Sequence, residues 1–137
     1  MDGDVKVGVL GCPNLPTTFG DETSQRGVLL YGVKGDRAYQ TSILQPSIDN
    51  GKLCQMRRID DPSQSIFCES VEAGHSSHGQ QSQIAKILGI TTKSVRMDSQ
   101  AKYATLTRGD ADIYLRLPVS MSYEEKIWVE GPIYIVS

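Results

Sequence analysis

Near residue 65 the spacing of apolar residues changes period, and that change restricts the chain to a fold with two kinds of layer. Ahead of it, apolar residues alternate along short runs: Val5-Lys6-Val7-Gly8-Val9-Leu10, Gly27-Val28-Leu29-Leu30-Tyr31-Gly32-Val33 and Ala38-Tyr39-Gln40-Thr41-Ser42-Ile43. Alternation places every second side chain on one face, and Lys34-Gly35-Asp36-Arg37 supplies a tight return, so the last two runs read as a hairpin. Beyond residue 65, short apolar runs alternate with helix-length segments, the pattern of strand and helix layers. The expected fold class is α/β, and α+β over the whole chain: antiparallel strands over 1–58, then an α/β region over 59–137.

Local signals sharpen the pattern. Asp2-Gly3 is a hairpin turn with a strand on one side only, so the chain is expected to begin inside a fold. Two prolines in Cys12-Pro13-Asn14-Leu15-Pro16 remove ladder donors and are expected to end the first strand. A polar link over 45–51 leads to a strand expected over 52–58. In the second region, strands are expected over 66–70, 94–98 and 113–117. Helices are expected over 82–88 and 99–108, closed by Gly89 and Gly109 in left-handed caps. Ser122-Tyr123-Glu124-Glu125 forms a capping box, which predicts a last helix over 123–128 before Gly131-Pro132.

A formal net charge of −2 and a pI near 5.6 leave no general basic field to draw the chain onto a nucleic acid polymer or an anionic membrane. Any phosphate must be held locally. Neither a spanning segment nor a signal peptide is visible, so an intracellular, cytoplasmic protein is expected. Three cysteines, none in CxxC spacing, read as reduced, partly buried small hydrophobes. His75 and His78 could share a helical face as metal ligands, but no nearby cysteine or third histidine completes a set.

Two blocks could carry chemistry. Gly74-His75-Ser76-Ser77-His78 falls between a strand and a helix start, where unpaired N–H groups and the positive end of the dipole favour an anion. Taken alone it reads first as a capped helix start with solvated histidines. Asp98-Ser99-Gln100-Ala101-Lys102-Tyr103 repeats the arrangement, with Ser99 as the expected N-cap and Lys102 just inside the helix; an ordinary cap with a surface lysine is the competing reading. Arg116 lies at the carboxyl end of a strand, the edge where open α/β sheets place ligands, on the same face as Tyr114. Together these groups would suit a ligand with two separated phosphates. Asp110-Ala111-Asp112 reads as turn punctuation ahead of a strand.

These blocks, with Gly8-Val9-Leu10-Gly11-Cys12-Pro13-Asn14-Leu15-Pro16, Gly109-Asp110-Ala111-Asp112-Ile113-Tyr114-Leu115-Arg116 and Tyr123-Glu124-Glu125-Lys126-Ile127-Trp128, make the sequence similar to the 3'(2'),5'-bisphosphate nucleotidases of the lithium-sensitive inositol monophosphatase superfamily. Five blocks in the family's order are more specific than any one. The resemblance implies a fragment of a sugar-phosphatase-like layered fold. It also implies magnesium-dependent hydrolysis of the 3'-phosphate of adenosine 3',5'-bisphosphate, and of its 5'-phosphosulfate relative, in sulfur metabolism. It assigns substrate contact to His75, Ser99, Lys102 and Arg116, with Ser76 adjoining them.

Departures from the family pattern set a further expectation. The upstream acidic helix and the Asp-Pro-Ile-Asp-Gly-Thr loop that carry the family's metal ligands are not in this sequence, and Trp128 is followed by Val129 where the family has aspartate. Glu130 cannot stand in, because one helical step turns a side chain by about 100 degrees. The chain is therefore read as the C-terminal portion of such an enzyme, with an atypical tail from residue 129, most metal ligands missing and weak or no activity alone. Two alternatives stand beside this reading: a non-catalytic nucleotide-binding fragment, and an inositol-phosphate phosphatase.

Overall fold

The structure, a computed structural model, describes residues 5–71 and 78–116. Two compact units part between Gln55 and Met56. The mixed α/β class expected from the period change is observed, with an antiparallel sheet in the first unit and a parallel sheet with helices in the second. The Asp2-Gly3 turn, the 123–128 helix and its capping box lie outside the described residues.

The first unit is a four-stranded antiparallel sheet in the order β1-β2-β3-β4, formed by β1 (Val7–Pro16), β2 (Arg26–Val33), β3 (Ala38–Ser42) and β4 (Lys52–Leu53). The β2–β3 turn closes as expected: Gly35 takes the left-handed φ of 86° that a residue with a Cβ resists, and Asp36 N donates to Val33 O at 3.0 Å. Alternation then sorts the faces. Val28 and Leu30 are fully buried, each contributing about 1.5–3 kcal/mol, and Cys12, Ala38 and Gln40 are buried with them. Val7, Val9 and Val33 on the opposite face are exposed.

Two expectations need correction here. β1, expected to be ended by the segment Cys12-Pro13-Asn14-Leu15-Pro16, instead runs through it to Pro16, because the register slips between Cys12 and Pro16: four residues on β1 advance against two on β2, from Val28 to Arg26. Within such an irregularity a proline removes no ladder bond that the partner strand needs. β4, expected over 52–58, spans only Lys52–Leu53, pairing with Gln40 and Tyr39. Cys54 N makes one more bond to Ala38 O at 2.8 Å, and β3 begins at Ala38, so there is nothing further along β3 to pair with.

A close approach locks the 44–51 connection onto the sheet. Tyr31 stacks on Tyr39 with ring centroids 5.7 Å apart, and its hydroxyl donates to Ile48 O at 3.0 Å. A Cβ at position 51 would lie 2.0 Å from the Tyr31 hydroxyl oxygen and 3.1 Å from Tyr39 Cβ. Gly51→Ala is therefore expected to cost about 1–2 kcal/mol, since the tyrosine tip can swing away only by giving up its bond to Ile48. Urea denaturation checks it. A midpoint equal to that of the parent chain would contradict the close approach.

The second unit begins with a short 3-10 helix (Pro62–Gln64) capped by the Asp61 carboxylate, which accepts from Ser63 N at 2.9 Å. Then follow β5 (Phe67–Glu69), α1 (His78–Leu88), β6 (Val95–Arg96), α2 (Ala101–Thr107) and β7 (Ile113–Tyr114). The three strands are parallel in the order β6-β5-β7, and α2 packs against β5 and β7. Gly89 and Gly109 close the helices with φ of 71° and 75°, as expected. α1 starts at His78 rather than at 82. The apolar repeat that marked its beginning is carried by Ile84, Ile87 and Leu88, whereas Gln81 is buried through a polar contact, its Nε2 donating to Glu69 Oε1 at 3.2 Å. Phe67, Cys68, Ala104 and Ala111 form the centre of this unit.

Candidate functional site

Topology fixes where the second unit can bind a ligand. From the central strand β5 the chain runs through α1 to β6 on one side, then returns through α2 to β7 on the other. The connections thus diverge at β5, and in open parallel sheets the loops beyond the carboxyl ends of strands at such a divergence leave a crevice for ligands. Three segments meet that edge: Ser70-Val71 after β5, Asp98-Ser99 after β6, and Leu115-Arg116 after β7. Asp98 Oδ1 accepts from Val71 N at 3.0 Å, which ties the first two together.

Lys102 projects into this edge from the first turn of α2. It is only 6% exposed; its Nζ donates to Ser70 Oγ at 2.9 Å and lies 5.2 Å from the centroid of the Tyr114 ring. Tyr103 meets Tyr114 edge to face at 5.6 Å and fixes that ring. Among the described residues no carboxylate forms an ion pair with Lys102. Burial pushes its pKa below the usual 10.5, Asp98 opposes the shift, Arg116 adds to it and Cys68 opposes it. A buried ammonium held, among the described residues, by a hydroxyl and a ring face is an electrostatic setting that favours an anion. Beneath it the Cys68 thiol is fully buried and pushed up to about 11, which makes it inert as a nucleophile.

The candidate residues fare differently. Arg116 comes close enough to act on Lys102 and on Tyr114, whose ring Lys102 Nζ faces, and Arg116 is exposed at the rim. Ser99 lies on the same edge but is not the N-cap. Gln100 occupies the cap position without a side-chain bond, and Ser99 precedes it with a left-handed φ of 53°. That conformation costs an L-residue roughly 1–2 kcal/mol, and it aims the loop so that α2 starts two residues later than expected. His75 and Ser76 lie outside the described residues. Sequence reasoning placed Tyr114 on the face of Arg116 but missed its contact with Lys102, and it missed Ser70 altogether. Ser70 looked like the tail of an apolar strand, although a polar residue at the carboxyl end of a central strand was the available signal.

Glu69 secures the scaffold. Its carboxylate accepts from Ser94 Oγ at 2.7 Å and Gln81 Nε2 at 3.2 Å and faces Arg96 Nε at 3.6 Å, joining α1 and β6 to β5. Among the described residues no group of three or more His, Cys, Asp or Glu could hold a metal ion, so they do not fit the magnesium centre that the resemblance implies. A groove of about 730 Å³ lies elsewhere, on the open face of the first sheet. Valine and tyrosine side chains make up much of its wall, and these suit a phosphate far less than the Lys102 edge does.

Cations and hydroxyls at the diverging edge of a parallel sheet are the frame of a ligand-binding α/β protein. The inositol monophosphatase family model matches residues 1–128, and the chain belongs to that family. It is 47% identical, over 93% of its length, to a 3'(2'),5'-bisphosphate nucleotidase of Emericella nidulans and 48% identical over 93% to one of Schizosaccharomyces pombe. To 3'(2'),5'-bisphosphate nucleotidase 1 of Arabidopsis thaliana it is 38% identical over 98%. It spans 39%, 36% and 40% of the length of these three relatives. No helix among the described residues is long and apolar enough to cross a membrane.

Proposed function

We propose that this chain holds the nucleotide-phosphate subsite of a phosphatase that removes the 3'-phosphate of adenosine 3',5'-bisphosphate to leave AMP, a step of sulfur metabolism. The observation that carries the reading is the buried Lys102 ammonium beside Arg116 at the carboxyl edge of the parallel sheet, in a chain whose relatives are named for this activity. Lys102 and Arg116 neutralise a phosphate from two sides, and Ser99 offers a hydroxyl at the same edge. His75 and Ser76 complete the subsite in this reading. Magnesium, when bound to such an enzyme, supplies charge neutralisation and an activated water.

Calorimetric titration of the purified chain with adenosine 3',5'-bisphosphate, followed by an assay of phosphate release with magnesium, tests the reading. Saturable binding supports it, and absence of binding overturns it. Binding without release would make the chain a nucleotide-binding fragment without turnover. Stronger competition by inositol monophosphate than by AMP would move the assignment to an inositol-phosphate phosphatase.

The lowered pKa of Lys102 gives the site a pH signature. Only the protonated amine attracts phosphate, so affinity is expected to fall as pH rises through the lowered value, before the usual lysine pKa of 10.5 is reached. For stability the sign is opposite: between the lowered value and 10.5 the unfolded chain binds more protons, so stability contributed by this group rises with pH. Calorimetry from about pH 7 to pH 10 checks the affinity limb. In Lys102→Arg the limb should move beyond this range. A limb left in place by that substitution would contradict the assignment to Lys102.

A further inference from the structure

We infer that Ser70 and Tyr114 are positioning residues for Lys102: the Ser70 hydroxyl and the Tyr114 ring hold its ammonium at the carboxyl edge of the parallel sheet before a phosphate arrives. The inference rests on the function proposed above and adds two residues to it. A lysine ammonium is a point charge on four rotatable bonds, so an unheld one must be ordered by its ligand at the moment of binding. Here that ordering is built into the fold. Nζ has three donors; Ser70 Oγ, itself fully buried, accepts one at 2.9 Å. The Tyr114 face sits 5.2 Å from the charge and attracts it without taking a donor, so among the described residues two donors remain for an anion.

The holders are themselves held. Ser70 follows the central strand β5, and Tyr114 is the last residue of β7, its ring fixed edge to face by Tyr103. Ser70 and Tyr114 thus meet the same ammonium from two different strands, the hydroxyl at 2.9 Å and the ring centroid at 5.2 Å. Among the described residues, the other charged or titratable groups acting on Lys102 are Asp98 beyond β6, Arg116 beyond β7 and Cys68 on β5. Asp98 spends one carboxylate oxygen on Val71 N, and it is the serine that touches the ammonium.

A double-mutant cycle separates positioning from a general structural role. Ser70→Ala should weaken adenosine 3',5'-bisphosphate binding about tenfold, and Ser70→Thr, which keeps the hydroxyl, should restore it to within about threefold. In a Lys102→Met background Ser70→Ala should have no further effect. Additive losses from Ser70→Ala and Lys102→Met would overturn the inference. Should Ser70→Ala fail to fold, Tyr114→Leu and Tyr114→Phe carry the same cycle: the first should weaken binding and the second, which keeps the ring, should do so much less. If the parent chain binds no nucleotide, the proposed function falls while positioning remains testable. The Lys102 Cε and Nζ resonances should then shift in Ser70→Ala but hardly in Ser70→Thr, and resonances unmoved by Ser70→Ala would overturn the inference.

Discussion

Asp112→Ala is expected to lower stability by about 2–4 kcal/mol, the largest loss foreseen for a single polar side chain in the second unit. The carboxylate is 8% exposed and accepts three hydrogen bonds. The Arg57 fork delivers Nε at 3.1 Å and Nη2 at 2.5 Å, and Ile66 N donates at 2.7 Å. Arg57, 40% exposed, can turn to water when its partner is lost, which discounts its share. The Ile66 N–H cannot do so as easily, because Ile66 O is already engaged by Asp112 N and Ile113 N where β5 and β7 come together. Asp112→Asn keeps an acceptor for Ile66 and should cost less than half as much. Urea denaturation of the three chains decides it, and equal midpoints for Asp112→Ala and the parent would contradict the clamp.

Lys102→Ala should weaken adenosine 3',5'-bisphosphate binding by roughly ten- to hundred-fold, the range of one charge-assisted contact worth ~1.5–3 kcal/mol. Stability should change little or even rise, because the substitution removes a buried ammonium that no carboxylate among the described residues pairs with. This opposition of affinity and stability distinguishes a ligand-facing lysine from a structural one. Calorimetry and thermal unfolding on the same preparation read both. A variant that binds as tightly as the parent would take Lys102 out of the site.

The parts of this molecule legible in the sequence were those decided by local chemistry. Gly35, Gly89 and Gly109 mark turns and helix ends because each needs a positive φ, and each has one. The change of apolar period at residue 65 marked the passage from antiparallel to parallel pairing. Features decided by partners distant in sequence were harder to read. Two prolines argued against a continuing β1, but the slip against β2 that accommodates them belongs to the pair of strands. β4 is short because β3 has no residue left to pair with it, which its own composition does not reveal.

The candidate site divides in the same way. Lys102 and Arg116 were legible as cations at helix start and strand end, positions that the α/β pattern sends to one edge. Tyr114 was legible only as sharing a face with Arg116, and Ser70 was not legible at all, because Ser70 and Lys102, 32 positions apart, meet only when β5 and α2 are folded together. Asp112, read as turn punctuation, does lie ahead of β7. It also spans 55 positions to Arg57, and no local pattern announces a bond of that length in sequence.

The most direct test is a backbone amide NMR titration of the isotope-labelled chain with adenosine 3',5'-bisphosphate. Saturable shifts are expected at Ser70, Ser99, Lys102 and Arg116, the carboxyl edge of the parallel sheet. Saturable shifts confined to the first sheet, or none at this edge, would contradict the proposed subsite.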